Sequence, residues 1–552
     1  LSDLDSAAQA RQEALRGSPR PEAPAGEGGG AHRTDEPGPA RRRIVAVIEI
    51  GSTGIRLVVA EVDGLGGFKV LDRAGKQSRI GRDVFATGII SREAVRESIA
   101  VLSSFRELLR GYGLAPKDAT VIATSALREA QNRDTFVDRV ALQTGLNVTI
   151  VEDIEENHLM YLAVQHALQD ERKLLSKSNA IILEVGGGST EVMLLRKGRM
   201  AGAHSLRIGT IRIDEQVRGA GVSPAFLMQF LEDNVRTTCD HLDGELPLES
   251  VKTFIVIGAD ARLAASRLGS GAEEAGEGYS VIGRSEFIGF ADEVAGLSPE
   301  DCVAKLHVPW TDAEGIGCSL AIERLFLERT GSESVVVPNV SIREGLLLST
   351  SLGAGTGIEA EMRAQVVASA VSLGRKFHYD DAHARHVADL SLAIFDSLVR
   401  EHGLGVHERL LLEAAAILHD VGTFIKTSGH HRHGEYIVMN SEIFGLNRVD
   451  LTIIANVVRY HRKAPPASNH LNFIALPRED RIVVMKLAAI LRVADALDRG
   501  HDQRVRDAVF ERREERFVIR AQDAADLSLE RLSLAEKGDM FEDVFGLEPI
   551  LG

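Results

Sequence analysis

The sequence reads as an α/β protein followed by an all-α region and a small C-terminal α+β cap. Three observations carry this reading. A strand, glycine turn and strand unit occurs twice, about 135 residues apart; strands and helices alternate around both copies; and near residue 360 the pattern changes to long amphipathic helices. At roughly 100–200 residues per domain, 552 residues leave room for several units.

Taken in order, residues 1–40 are rich in Pro, Gly and charge without apolar periodicity, and are predicted to be a disordered tail. Folded structure begins at the apolar run Ile44–Ile48, which reads as a buried strand. The first copy of the repeat is Ile44–Thr53 (IVAVIEIGST) and the second Ala180–Thr190 (AIILEVGGGST), each followed by a further strand, Ile55–Val62 and Glu191–Leu195. A strand that stops at Gly-Ser/Thr and doubles back exposes N–H groups and a hydroxyl, and glycine lets the backbone approach an anion. Two such turns facing one another would hold phosphates between them.

Between the copies, Ser91 is placed to cap a helix carrying Val95, Ile99, Leu102, Phe105 and Leu108 on one side. Ala119–Ala123 reads as a strand leading into a helix at Thr124–Ala130, and Val148–Val151 as a strand followed by Glu155, Glu156 and a helix starting near Asn157. Further strands are predicted at Phe254–Gly258 and, with a turn, at Val335–Glu344; Ser349–Gly357 reads as a linker. The units are therefore 41–170, 171–350, a helical region 360–504 and a cap 505–552. Leu390, Ile394 and Leu398 form one helical stripe and Leu411, Leu412, Ala415 and Leu418 another. In the cap, Phe517–Ile519 and Leu527–Leu529 read as short strands.

With 64 Lys+Arg against 80 Asp+Glu, the net charge of −16 argues against a duplex nucleic-acid partner. No apolar run reaches the roughly 20 residues of a membrane helix and no signal pattern opens the chain, so a cytoplasmic protein with no membrane partner is expected. Cys239, Cys302 and Cys318 are too few and too dispersed for a disulfide framework and read as free thiols.

Phosphoryl transfer needs positioning, charge neutralisation and a placed nucleophile. Glu156, at a strand-to-helix junction, is the candidate base; Glu49, Glu184 and Glu191 are candidate metal-side carboxylates, suited to Mg²⁺; and Arg128 is a candidate phosphate clamp. Each also reads, taken alone, as an ordinary solvated group. Lys76, Arg79 and Arg82, at spacing three, read equally as a basic entrance for a polyanion, with Arg459–Lys463 lining the same channel, or as a solvated basic edge.

These residues resemble the exopolyphosphatase and guanosine-pentaphosphate phosphohydrolase (Ppx/GppA) family. The resemblance rests on four ordered motifs: Glu49–Gly54 (EIGSTG), Ala123–Asn132 (ATSALREAQN), Glu184–Glu191 (EVGGGSTE) and Ser341–Leu346 (SIREGL). It implies a two-lobed actin/sugar-kinase-like (ribonuclease H-like) ATPase fold and a homodimer. Substrate phosphates would lie between the loops at Ser52-Thr53 and Gly187-Gly188-Ser189, with Glu156 activating water. This chain has Glu at 49 and 184 where the family usually has Asp, Thr53-Gly54 for Asn-Ser, Asn157-His158 for Ala-Arg and Ala259-Asp260-Ala261 for Gly-Gly-Thr.

Twelve of the 18 histidines lie between His378 and His501. The order His383, His419-Asp420, His430, His431, His461, Asp495 resembles the HD metal-dependent phosphohydrolase superfamily. Imidazole and carboxylate together suit a divalent transition metal: His383, His419, Asp420 and Asp495 would form one site, with His430, His431 and His461 as second-site candidates. The activity expected first is exopolyphosphatase. The alternatives are a guanosine pentaphosphate hydrolase at the same site, an HD-domain phosphohydrolase and a non-catalytic phosphate or nucleotide sensor.

Overall fold

The computed structural model describes residues 42–63, 67–171, 173–220, 224–269, 278–351, 357–463, 465–521 and 526–552. The predicted tail at 1–40 lies outside them.

The first lobe is a five-stranded sheet of β1 (Arg43–Ile50), β2 (Gly54–Val62), β3 (Phe68–Gln77), β4 (Ala119–Ala123) and β5 (Val148–Ile150), in the order β3-β2-β1-β4-β5. β1, β2 and β3 are antiparallel neighbours, whereas β4 and β5 run parallel to β1. The second lobe repeats that topology with β6 (Asn179–Val185), β7 (Thr190–Arg196), β8 (Arg199–Leu206), β9 (Val251–Ile257) and β11 (Ser334–Pro338) in the order β8-β7-β6-β9-β11, and β10 (Tyr279–Gly283) adds an antiparallel edge. This duplicated sheet order is the two-lobed arrangement the resemblance implies.

Both faces of each sheet are covered, which explains the uninterrupted apolar runs. Along β1, Val45 and Val47 join a core shared by the two lobes, while Ala46, Ile48 and Ile50 join the outer core of the first. Along β6, Ala180 and Ile182 enter the shared core, and Ile181, Leu183 and Val185 enter the outer core of the second lobe. The period of two along a strand distributes one hydrophobic run between two cores.

Helix Arg92–Gly111 begins at Ser91, whose hydroxyl accepts from the Ala94 N–H at 3.1 Å, as its sequence predicts. Helix Asp153–Ala167 begins one turn before the expected Asn157. The Glu155 carboxylate reaches back to accept the Glu152 N–H at 2.9 Å, and the three acidic side chains Asp153, Glu155 and Glu156 suit the positive helix start. Glu156 thus projects from the first turn and not from the loop before it.

Three other expectations are corrected. Ser349–Ser351 belong to helix Ile342–Ser351 instead of a linker; 352–356 lie outside the described residues, and Gly357 already starts the helix that runs to Lys376. Leu527 caps helix Ser528–Lys537, so Leu527–Leu529 is no strand. The cap is not separate: β12 (Val509–Arg513), β13 (Arg516–Arg520) and β14 (Glu548–Leu551) form a three-stranded sheet whose Phe517, Ile519 and Leu551 share one core with the helical region.

The cysteines are free, Cys239 and Cys302 buried. Among the described residues no helix is long and apolar enough to cross a membrane.

Helix Asp153–Ala167 packs on helix Ile342–Ser351 through Gly345, where an added Cβ would stand 1.8 Å from the Leu159 carbonyl oxygen. A Cβ there forces the two helices apart, so Gly345→Ala is expected to lower the unfolding free energy by roughly 1–3 kcal/mol. Urea denaturation checks this; an unchanged midpoint contradicts the packing argument.

Candidate functional site

The two glycine turns are built alike. Gly51 N–H donates to the Gly54 carbonyl at 2.9 Å, and Gly186 N–H, 135 residues later, to the Ser189 carbonyl at 2.8 Å. They meet edge to edge: a Cβ on Gly187 would lie 3.1 Å from both Ser52 Cβ and Thr53 Cγ2. Beside them opens a cleft of about 500 Å³ whose lining includes Ser52, Thr53, Gly187, Ser189, Glu49, Glu156, Glu184 and Glu191. The sequence-predicted residues of both turns and all four glutamates therefore share one site. Ser52 Oγ lies 3.0 Å from Ser125 Oγ, which ties the first turn to the segment after β4.

The register distinguishes the repeats by charge. Glu49 stands opposite Arg56 across β1 and β2, whereas Glu184 stands opposite Glu191 across β6 and β7. Like charges opposite one another are unfavourable unless compensated. Asn157 Nδ2 donates to Glu191 Oε2 at 2.9 Å and Ser205 Oγ to Oε1 at 2.6 Å. Burial, and then the Glu156 charge, still hold Glu191 well above the usual carboxylate range. Burial pushes Glu184 up to about 8, with the charges of Glu156 and Glu49 adding to it. Burial also raises Glu156 to about 7 against the pull of Arg128.

Arg128 is not open to the cleft as a phosphate clamp. Its guanidinium donates to the Val151 carbonyl at 2.6 Å, pairs with Asp153 and reaches Glu156 Oε2 at 3.4 Å, so it holds the carboxylates in place. The proposed metal trio is regrouped too. Glu49 pairs with Arg343 and lies 3.9 Å from Arg56, while the carboxylates gathered within 4.8 Å of one another are Asp153, Glu156 and Glu191. A donor set of carboxylate oxygens only, mutually repelling and partly desolvated, fits a hard divalent cation.

Of the expected basic entrance, Arg79 and Arg82 line the cleft, but Arg82 pairs with Glu314 and lies 3.7 Å from Glu215, clasping the first lobe to the second. Arg79 pairs with Glu93 at 3.2 Å. Arg459 pairs with Glu435 inside the helical region, away from this lining. A larger groove of about 1000 Å³, lined by Arg196, Arg363 and Arg375 among others, lies elsewhere and contains neither the turns nor the carboxylates.

Several site residues escaped the sequence reading. Arg343 lies inside the SIREGL motif, and Arg56 follows from the antiparallel register once the turn is known. Asp153 sits one helical turn before Glu156. Arg262 and Asp260 enter from the helix after β9; burial raises Asp260 to about 6 and lowers Arg262 from its ordinary value. Asp260 lies in the Ala259-Asp260-Ala261 segment that departs from the family pattern, whereas no local signal marks Arg262. His158, buried and pushed down to about 4 by that burial, turns away from the cleft to Phe444, with ring centroids 5.6 Å apart.

In the helical region, His383, His419 and Asp420 form one group with ligand atoms within 4.8 Å, and Asp420, His430 and His461 a second. Asp495 Oδ1 lies 3.9 Å from His383 Nε2 and 4.0 Å from His419 Nε2. His431 belongs to neither group; its Nδ1 is buried, without a hydrogen-bond partner, on the next position of the helix.

The chain matches the Ppx/GppA phosphatase family over residues 57–353 and domain III of that family over residues 367–537. It is 22% identical over 437 residues, 76% of this chain and 81% of the relative, to the guanosine-5'-triphosphate,3'-diphosphate pyrophosphatase of Pseudoalteromonas translucida. The protein of that name from Photobacterium profundum is 22% identical over 472 residues, 82% of this chain and 85% of the relative. A solved exopolyphosphatase from Cytophaga hutchinsonii shares the fold with a TM-score of 0.50 at 17% identity, covering 57% of this chain and 100% of that one.

At Gly188 a Cβ would stand 2.4 Å from Phe85 Cζ and 2.6 Å from Ser125 Oγ. Gly188→Ala is expected to displace the second turn and lower phosphate release by about a hundredfold, with near-UV circular dichroism little changed. Wild-type turnover contradicts the tight turn.

Proposed function

Because the chain belongs to the Ppx/GppA phosphatase family, whose members hydrolyse phosphoanhydride bonds, we propose that it removes terminal orthophosphate from inorganic polyphosphate by water attack in this cleft. The observation that carries the reading is the convergence of two like-built glycine turns on Glu156, a largely desolvated carboxylate held high enough to accept a proton near neutrality. Terminal phosphate oxygens would take hydrogen bonds from the turn amides and from the hydroxyls of Ser52, Thr53 and Ser189. Glu156 would accept a proton from water as the water oxygen bonds to phosphorus and the bridging P–O bond breaks, leaving orthophosphate and a chain shorter by one unit. Arg128 and Asp153 would orient that carboxylate.

Phosphatases of this family are generally divalent-metal dependent. In this reading Mg²⁺ would be held by Glu191 and Asp153, with Glu49 and Glu184 as the remaining cleft carboxylates, and would supply charge neutralisation at the phosphate oxygens.

Guanosine pentaphosphate is the second reading, supported by the names of the relatives from Pseudoalteromonas and Photobacterium. The lining favours the inorganic chain. Its described members are hydroxyl, glycine, arginine, glutamine and carboxylate residues with Val185, Ile211, Ala259 and Ile342, and none of them offers an aromatic ring to stack on a base.

Phosphate release from polyphosphate and from guanosine pentaphosphate separates these readings, with a higher kcat/KM expected for polyphosphate. Glu156→Gln is expected to reduce kcat by roughly 10²–10⁴-fold while a polyphosphate-induced thermal shift persists. Full activity in Glu156→Gln contradicts the assignment, and binding without turnover in the wild type would make the protein a sensor.

A further inference from the structure

The helix that carries Glu156 is held from outside the cleft as well as from within it. Tyr161 follows Glu156 by five positions, about 7.5 Å along the helix axis and about 140° around it. It therefore faces away from the cleft, and its ring, 1% exposed, meets Phe444 edge-on with centroids 5.4 Å apart. Its hydroxyl accepts from Gln165 Nε2 at 2.8 Å and from Gln365 Nε2 at 2.9 Å. Gln365 belongs to helix Gly357–Lys376 of the helical region and is fully buried. Its Nε2 also donates to the Gly198 carbonyl at 2.7 Å, and its Oε1 accepts the Met200 N–H at 2.7 Å.

Gly198 lies in the turn between β7 and β8, and Met200 near the start of β8. At the other end of this hairpin Glu191 stands opposite Ser205, which donates to it, and Asn157 donates to Glu191 from the Glu156 helix. Helix and hairpin are thus joined at two points, directly at the cleft and through the Gln365 amide at the far end. Between these points they meet in the shared core, through Met160, Ala163 and Val164 of the helix and Met193, Leu195 and Met200 of the hairpin. Apolar packing is non-directional, whereas a hydrogen bond weakens steeply when it bends. The hydrogen bonds therefore limit how far the helix slides and rolls on the hairpin. A buried amide or hydroxyl that loses its partner bears the full cost of desolvation, which holds the arrangement in place.

We propose that Gln365 and Tyr161 are positioning residues for hydrolysis in the cleft: the amide that the helical region inserts between the Glu156 helix and hairpin β7–β8 fixes where Glu156 stands relative to the attacking water. This role presupposes Glu156 as the base. Among the described residues none from the helical region lines the cleft, so its contribution passes through the helix. A reacting group misplaced by about 1 Å can cost on the order of a hundredfold in rate. The glycine turns would still hold the substrate phosphates when the link is broken, so the loss falls on kcat and leaves KM.

Steady-state release of orthophosphate from polyphosphate by the full-length protein tests this. Tyr161→Phe removes one hydroxyl and keeps the ring against Phe444 and the Gln365 bonds to Gly198 and Met200, so the fold is retained. Its kcat is expected to fall roughly tenfold, with KM within about twofold of wild type, and Gln365→Leu is expected to lose at least as much. Ser372→Ala is the control: its hydroxyl donates to the Ala201 carbonyl at 2.8 Å, from the same helix to the same strand, without reaching the Glu156 helix, and wild-type kcat is expected. In the Glu156→Gln background Tyr161→Phe is expected to cost nothing further, because it acts through that carboxylate. Wild-type kcat in Tyr161→Phe, an equal fall in Ser372→Ala, or a further loss of about tenfold in the Glu156→Gln background overturns the positioning role, and with Glu156→Gln itself impaired the base assignment survives. Full activity in Glu156→Gln overturns the base assignment and the positioning role together.

Discussion

Gathering four glutamates, Glu191 buried and the others partly buried, around one cleft is the constraint on which the rest of this molecule depends. Glu49 and Glu184 end the first strand of each lobe, Glu191 lies opposite Glu184, and Glu156 enters from the helix between them. Carboxylates removed from water with like charges beside them resist ionisation, and Glu156, Glu184 and Glu191 are all raised. The fold answers with a ring of partners drawn from distant segments: Arg128 after β4, Arg343 after β11, and Asn157 and Ser205 on Glu191. A site that gathers carboxylates at this density is suited to a hard divalent cation. The net charge of −16 argues against a polyanion on the whole molecule, so the proposed substrate depends on this local arrangement.

The duplicated sheet turns that constraint into a binding geometry. Two lobes of the same strand order bring equivalent turns together, and the inner faces of both sheets merge in one core, which fixes the turns relative to each other. Symmetry is broken at one ladder position, Arg56 in the first copy and Glu191 in the second. At that height the first copy sets a carboxylate against a guanidinium, and the second sets two carboxyl groups against each other. Helix Asp153–Ala167 connects this site to the helical region, because Glu156 and Asn157 face the cleft while His158 and Tyr161 pack on Phe444.

What could be read from the sequence was local. The turns, the apolar strands beside them and the Ser91 cap each depend on residues a few positions apart, and all are found where the pattern places them. The helix carrying Glu156 starts one turn before its apolar pattern indicates because the Glu155 carboxylate caps it from within. Arg128 looked like a clamp because its partners Asp153 and Glu156 become neighbours only after folding. In the helical region the histidine density revealed the cluster. His431 differed from His430 only by the roughly 100° between successive helical positions, and Lys537, 42 residues from Asp495, left no trace in the pattern.

The most direct test of where phosphate binds is a crystal structure of the Glu156→Gln protein soaked with polyphosphate and Mg²⁺. The expected density has a terminal phosphate against the amides of Gly51–Thr53 and Gly187–Ser189, with the side chain at position 156 facing its phosphorus. A chain seated in the groove lined by Arg363 and Arg375, or against the cluster at Asp420, with the glycine turns empty, would contradict it.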